Sequence, residues 1–261
     1  MSKIKHAFEN GKALIAFITC GAPDLKTTGA AVRAAAENGA DLIELGIPFS
    51  DPTAEGPVLQ EASLHALKNG ITTDKLFAFV KELRRDVTVP MVFMTYANVV
   101  FSYGAKRFFS SCQESGIDGL ILSDLPFEEK EEFLPFGQAY DVALISQIAL
   151  SSKDRTAMIA KEAEGFLYMV SDPGMEGTKN GAQSELPSMV KMVRQNTDIP
   201  CAVGFETSTL EQIKEMAEFA DGVIAASALV GLLGKYGTDA PRYIGEYVKE
   251  IKMALKTSFS R

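Results

Sequence analysis

Histidine and cysteine are scarce in this 261-residue sequence, and their scarcity excludes several chemistries at once. The two histidines, His6 and His65, lie far apart, with no carboxylate or cysteine at ligand spacing. That argues against a histidine-based metal site and against a Ser-His-Asp triad, and no metal is expected. His65, among Ala62, Leu64 and Leu67, reads as a helix-surface residue. The cysteines, Cys20, Cys112 and Cys201, are odd in number and form no CxxC pair, so they read as reduced, mostly buried thiols of a cytoplasmic protein. Positive charge is also in short supply. The net charge is −8 and no basic stripe is present, so nucleic-acid binding is not expected. An anionic ligand would have to be held by local features rather than by overall attraction. The segment Met1-Ser2-Lys3-Ile4-Lys5-His6 has no apolar core, which predicts no secretory signal. No apolar run approaches the ~20 residues that span a bilayer.

What is present is an ordinary globular composition, 46% hydrophobic and 23% charged. Short apolar runs alternate with longer amphipathic ones. Eight strand candidates stand out: Ala13–Thr19, Asp41–Gly46, Met91–Thr95, Gly119–Ser123, Ala143–Ile148, Phe166–Ser171, Ala202–Phe205 and Gly222–Ala226. Each is nearly continuously hydrophobic, as parallel strands covered on both faces are. Helical patterns lie between them, among them Asp74–Arg85, Lys153–Glu162, Ser208–Glu218 and Arg242–Lys256. Asp24, Asp74 and Ser208 read as N-caps.

A weak internal repeat supports the alternation. Glu37-Asn38-Gly39-Ala40-Asp41-Leu42, Glu114-Ser115-Gly116-Ile117-Asp118-Gly119 and Glu218-Phe219-Ala220-Asp221-Gly222-Val223 share a grammar of helix end, small residue, aspartate and apolar strand. Glycine there suits a left-handed helix terminus. Val89-Pro90 and Ile199-Pro200 stop the chain before two other strands. Eight βα units without a composition break predict a single domain over residues 1–261, an α/β fold of the (βα)8 TIM-barrel type. A doubly wound open sheet is the structural alternative. Barrels carry their sites at the C-terminal ends of their strands, which directs attention to the residues just after each one.

The second strand contains Glu44 between Ile43 and Leu45. A buried unpaired carboxylate is costly, and desolvation raises its pKa toward the range useful for acid–base work. A structural ion pair inside the barrel is the alternative use of such a residue.

Glu44-Leu45-Gly46-Ile47-Pro48-Phe49-Ser50-Asp51-Pro52, followed by Ala54-Glu55-Gly56-Pro57, closely resembles the signature of the tryptophan synthase α-subunit family. The resemblance continues through Thr95-Tyr96-Ala97-Asn98, Asp124-Leu125-Pro126 with Glu128-Glu129, and Gly204-Phe205, and spans essentially the whole chain. It implies retro-aldol cleavage of indole-3-glycerol phosphate to indole and glyceraldehyde 3-phosphate, a lyase reaction of tryptophan biosynthesis. Glu44 is implied as the acid–base group and Glu55 as the acceptor of the indole N–H. The family has Asp at the second position, so the charge survives with one more methylene of reach. A displacement of about 1 Å in such a group costs on the order of 100-fold in rate. The implied indole pocket comprises Phe17, Met94, Ile121, Tyr168 and Phe205, which also read as barrel core. The implied phosphate-binding residues are Gly177, Gly204, Phe205, Ala226 and Ser227. The implied partner is a β-subunit in an α2β2 tetramer, which would carry the pyridoxal phosphate; no cofactor is expected in this chain. The loops around Pro48–Gly56 and Asn98–Phe101 are implied to face that partner.

The chain departs from the family pattern in its closing loops. Glu206 follows Gly204-Phe205 where the family has Gly, and Ala225-Ala226-Ser227 replaces Ser-Gly-Ser. The loop Ser171-Asp172-Pro173-Gly174-Met175-Glu176-Gly177 has Asp172 and Glu176 in place of the family's Arg and Thr. Ala22 replaces the Asp of the first-strand loop. These departures leave two further readings open: a weakly active protein that mainly docks on and regulates a β-subunit, and a barrel lyase for another phosphorylated substrate.

Overall fold

Strands that are apolar on both faces must be covered on both, and closing the sheet into a barrel inside a ring of helices does so. The computed structural model describes residues 3–149, 153–170, 179–205 and 210–257. Its strands are β1 (Ala13–Thr19), β2 (Leu42–Gly46), β3 (Met91–Thr95), β4 (Gly119–Leu122), β5 (Ala143–Ile145), β6 (Gln147–Ala149), β7 (Leu167–Val170), β8 (Cys201–Phe205) and β9 (Gly222–Ala225). All pairings are parallel, in the order β5-β4-β3-β2-β1-β9-β8-β7-β6. The fifth expected strand, Ala143–Ile148, is broken in two at Ser146. Its first half pairs with β4 and its second with β7. The Ser146 carbonyl accepts the Tyr168 N–H at 3.0 Å, so the break lets one stretch of chain meet a different neighbour on each side and brings the two ends of the sheet together. The sheet is the nearly closed barrel of a TIM fold rather than an open doubly wound sheet.

The helices are α1 (Lys3–His6), α2 (Leu25–Glu37), α3 (Pro57–Lys68), α4 (Thr73–Leu83), α5 (Ala97–Tyr103), α6 (Ala105–Ser115), α7 (Leu134–Tyr140), α8 (Lys153–Lys161), α9 (Lys179–Arg194), α10 (Leu210–Phe219), α11 (Ser227–Tyr236) and α12 (Ala240–Thr257). Asp24 caps α2 as expected, accepting the Thr27 N–H at 2.7 Å. Asp74 does not cap α4. Thr72 does, and Asp74 sits in the first turn, where it accepts from the Tyr103 hydroxyl and Arg107. Two hydroxyl or carboxyl side chains compete for one cap, and Thr72 wins because its extended backbone aims it back at the Lys75 N–H. Ser208 lies outside the described residues. His65 is exposed on α3, and all three cysteines are buried and free.

Alternation along each strand divides the core in two. Ile15, Phe17, Leu42, Val92, Ile121 and Tyr168 belong to the cluster inside the barrel. Leu14, Ala16, Ile43, Leu45, Phe93 and Leu120 belong to the layer between strands and helices. The short α1 stops the bottom of the barrel: Ile4 is fully buried, and a Cβ on Gly119 would approach its side chain to 3.0 Å.

The repeated aspartate has a single structural use. Asp41, Asp118 and Asp221 each precede a strand, and each donates its backbone N–H to a carbonyl of the neighbouring strand at 2.8 Å: Leu14, Met91 and Cys201. Each side-chain carboxylate then accepts the N–H of that same residue, at 2.7, 2.9 and 2.9 Å. A cation completes each unit: Lys252 for Asp41, Arg84 for Asp118 and Arg194 for Asp221. Gly39 and Gly116 take positive φ, +111° and +83°, at the turns that deliver the aspartates.

The Asp118–Arg84 unit is the most enclosed of the three by its side-chain burial. Asp118→Ala removes one partner of a largely buried ion pair and orphans the Met91 N–H. It should cost about 3 kcal/mol of folding stability, read by chemical denaturation, while leaving turnover of the folded protein intact.

Candidate active site

The C-terminal ends of the strands open into a cavity of about 1020 Å3. Its wall includes Glu55, Met94, Tyr168, Gly204, Ala226 and Ser227. Six of the residues singled out in the sequence are thus brought to one cavity. Glu44, Phe17 and Ile121 lie deeper, in the barrel interior and out of contact with solvent or nearly so. Gly177 and Glu206 lie outside the described residues, as does the Ser171–Gly177 loop. Phe205 ends β8 with its backbone in register with Ala225; its side chain lies outside the described portion.

Two aromatic rings shape the interior, and each rests on a glycine of the next strand. A Cβ on Gly46 would meet the Phe17 ring at 2.6 Å, and one on Gly204 would meet the Tyr168 ring at 2.9 Å. Real Cβ atoms do not come so close, so glycine is required for these rings to pack against the strand beside them. Gly204 therefore has a packing role as well as a place on the cavity wall.

Glu44 is 0% exposed, and neither carboxyl oxygen has a hydrogen-bond partner among the described residues. It is in no structural ion pair among the described residues. Burial, reinforced by the negative charge of Glu55, pushes its pKa from 4.5 to about 8. Glu55 sits on the loop after β2, half-buried, and burial pushes its pKa up to about 7, against the lowering effect of a hydrogen bond from Tyr96. It is not a solvent-exposed loop acid. The Tyr168 hydroxyl is held well above the ordinary tyrosine range by burial and by both carboxyls. The site is therefore a pair of carboxyl groups that titrate near neutrality and influence one another, under an apolar wall.

Sequence reasoning left several residues in and around the cavity without a role. Tyr96, the residue after β3, accepts the Ala54 N–H at 3.1 Å, which seats its hydroxyl beside Glu55. Its signal was the Thr95-Tyr96-Ala97-Asn98 motif, whose tyrosine hydroxyl is drawn to Glu55 only by folding. Asp124 accepts the Ala97 N–H at 2.7 Å and so satisfies the start of α5. Lys130 and Arg155 also line the cavity but are paired with Glu162 and Glu128. The hydroxyls of Thr19, Thr95 and Ser123, at the C-terminal ends of β1, β3 and β4, are buried without partners among the described residues. At the far wall α11 begins at Ser227 with no side-chain cap, so its first backbone N–H groups and the positive end of its dipole are turned to the cavity rim. Among the described residues no group of three His, Cys, Asp or Glu side chains is arranged to hold a metal, and no helix is long and apolar enough to cross a membrane.

Comparison with known proteins gives a consistent result. The family model described as "Tryptophan synthase alpha chain" matches residues 3–257. The tryptophan synthase alpha chain of Lacticaseibacillus casei is 42% identical over 255 residues, covering 98% of this chain and 96% of that one. Among solved structures, tryptophan synthase subunit alpha from Legionella pneumophila superposes with a TM-score of 0.88 at 32% identity, covering 98% of this chain and 99% of the other. A chain of tryptophan synthase from M. tuberculosis superposes with a TM-score of 0.86 at 30% identity, covering 98% and 99%.

The raised carboxyl pKa of Glu44 predicts a pH signature in stability. The folded chain prefers the neutral acid, so its contribution is complete below the ordinary value of 4.5 and is lost as pH rises through about 8. Glu44→Gln cannot ionise. Its melting temperature should therefore gain on the wild type steadily between pH 5 and pH 9, as followed by circular dichroism. Parallel curves would show that Glu44 ionises freely in the folded state.

Proposed function

This chain belongs to the tryptophan synthase alpha chain family, and on that footing we propose that it cleaves indole-3-glycerol phosphate to indole and glyceraldehyde 3-phosphate. The observation that carries the reading is Glu44, an unpaired, fully buried carboxyl whose pKa is lifted to about 8, next to a second carboxyl at the cavity wall. Breaking the bond between indole C3 and the glycerol carbon requires a proton on C3 and the loss of one from the adjacent hydroxyl. At neutral pH Glu44 holds the proton that C3 needs. Once it has given that proton it is a strongly destabilised carboxylate, which favours taking one back from the hydroxyl as the aldehyde forms. The proton count closes on one residue. Glu55, the first of the pair to ionise, accepts the indole N–H as positive charge develops on the ring. In this reading Met94 and Tyr168 flank the indole at the cavity wall, with Phe17 and Ile121 beneath and Phe205 alongside.

The phosphate is assigned to Gly177, Gly204, Phe205, Ala226 and Ser227, with the start of α11 supplying N–H donors and a favourable dipole. We take residues 1–261 as one barrel domain acting in the cytoplasm. It works with a β-subunit in an α2β2 assembly, with the pyridoxal phosphate of the joint reaction held by that partner. The relatives compared carry the alpha chain name, which favours this reading over a docking-only role or a lyase for another phosphorylated substrate.

Indole release from indole-3-glycerol phosphate, with and without a β-subunit, tests the reading. Wild type should release indole, faster with the partner, and Glu44→Gln should lose about 100-fold or more, as expected when a general acid–base group is removed. Equal rates for wild type and variant would remove Glu44 from the chemistry. Turnover of another sugar phosphate, with none of the indole compound, would remove the substrate.

A further inference from the structure

Tyr96 touches the loop between β2 and α3 at both of its ends. Its ring stacks on Phe49, where the loop begins, with centroids 4.9 Å apart and planes at 28°. Its hydroxyl accepts the Ala54 N–H at 3.1 Å, where the loop ends, and so is seated beside the next residue, Glu55, whose carboxyl it stabilises in the ionised form. The residue is 1% exposed. A phenol has a single hydrogen to donate. With the Ala54 amide donating into its oxygen, the hydroxyl is oriented to give that hydrogen to Glu55. A glutamate has one more side-chain torsion than an aspartate and so more positions to visit. A donor fixed at both the ring and the oxygen is what confines it.

We propose that Tyr96 is the positioning residue for Glu55: its hydroxyl, seated by the Ala54 amide, holds the carboxyl of this longer acid on the cavity wall where the indole N–H of the substrate is received. This rests on the reading given under Proposed function and deepens it, because it specifies how a glutamate serves at that position. Tyr96 acts through Glu55 and need not touch a reacting atom. The charged and titratable groups that bear on the pair are Glu44 from β2 and Tyr168 from β7, with Asp124 beyond β4 bearing on Tyr96.

The test uses Tyr96→Phe, which keeps the ring on Phe49 and removes only the hydroxyl. In protein labelled with carboxyl-13C glutamate, the Glu55 resonance is identified by its absence from Glu55→Gln, and its titration is followed by NMR. The Tyr96 bond holds the Glu55 carboxyl below where burial alone would put it, so in Tyr96→Phe the titration should move to higher pH. The kcat/KM for indole release should fall about 10-fold, the weight of one hydrogen bond to a charged group. In a Glu55→Gln background the same change should cost nothing further. As a second arm, 3-fluorotyrosine in place of Tyr96 makes a stronger donor and should move the Glu55 titration down. An unmoved Glu55 titration in both arms, or an equal loss from Tyr96→Phe in both backgrounds, overturns the proposal. If wild type releases no indole but the Glu55 titration still follows position 96, the substrate reading falls and the positioning role stands.

Discussion

A carboxylate that receives an N–H at the start of a neighbouring strand holds this barrel together at its lower rim. Asp41, Asp118 and Asp221 do this at three points around the sheet, each with a cation behind it. The bond is charge-assisted, and it fixes register as well as energy, because an aspartate just ahead of its own strand can reach only one amide of the next. The Asp41 unit ties β1 to β2 in the register that sets Phe17 beside Glu44, and strand pairing sets Glu44 beside Val92. A slip of one residue would turn Glu44 outward into the helix layer and bring Ile43 inside. The position of the acid in the barrel interior is thus secured by other acids at the lower rim.

The two rims obey opposite rules. At the lower rim the polar groups of the aspartate units are paired several times over. Toward the upper rim the hydroxyls of Thr19, Thr95 and Ser123, and deeper in the barrel the Glu44 carboxyl, are buried without protein partners among the described residues. Such groups each cost about 1–3 kcal/mol when left unsatisfied. A fold tolerates that expense where the groups are directed at something other than itself, and barrels direct it to the C-terminal ends of their strands. The same division explains why the two glycines that carry aromatic rings, Gly46 and Gly204, fall at the cavity end.

The sequence made most of the fold legible, because apolar runs on both faces of eight segments admit few arrangements. The strand through Ala143–Ile148 hid its break: hydrophobic pattern reports burial, and both halves are buried, whereas the change of partner at Ser146 depends on where the sheet closes. Asp74 looked like a cap because residue type alone does not report backbone geometry, and Thr72 has the extended conformation a cap needs. Of the site, Glu44 was readable as an acid stranded in an apolar strand. Tyr96 was not, since a tyrosine after a strand has many uses, and it stands 41 residues beyond Glu55 in a chain that only the adjacency of β2 and β3 brings together. The repeated aspartates were seen as punctuation; their amide partners are residues of a different strand, which no local pattern contains.

The two glutamates are better understood together than singly. Burial alone raises both, but the charge of Glu55 adds to the rise of Glu44, while Glu55 receives a hydrogen bond that favours its ionised form. The Tyr96 hydroxyl thus breaks the symmetry between two like groups. It makes Glu55 the one to lose its proton first, and that negative charge then keeps the proton on Glu44. Coupled carboxyls behave this way whenever they share one charge between two environments. Near neutrality the pair therefore favours one neutral and one ionised carboxyl, which is the state the proposed cleavage starts from. Replacing aspartate by glutamate at position 55 is compatible with this division of roles because the asymmetry comes from the donor, not from the length of the acid. What length alters is where the charge sits, and that is settled by the tyrosine that both loop ends enclose.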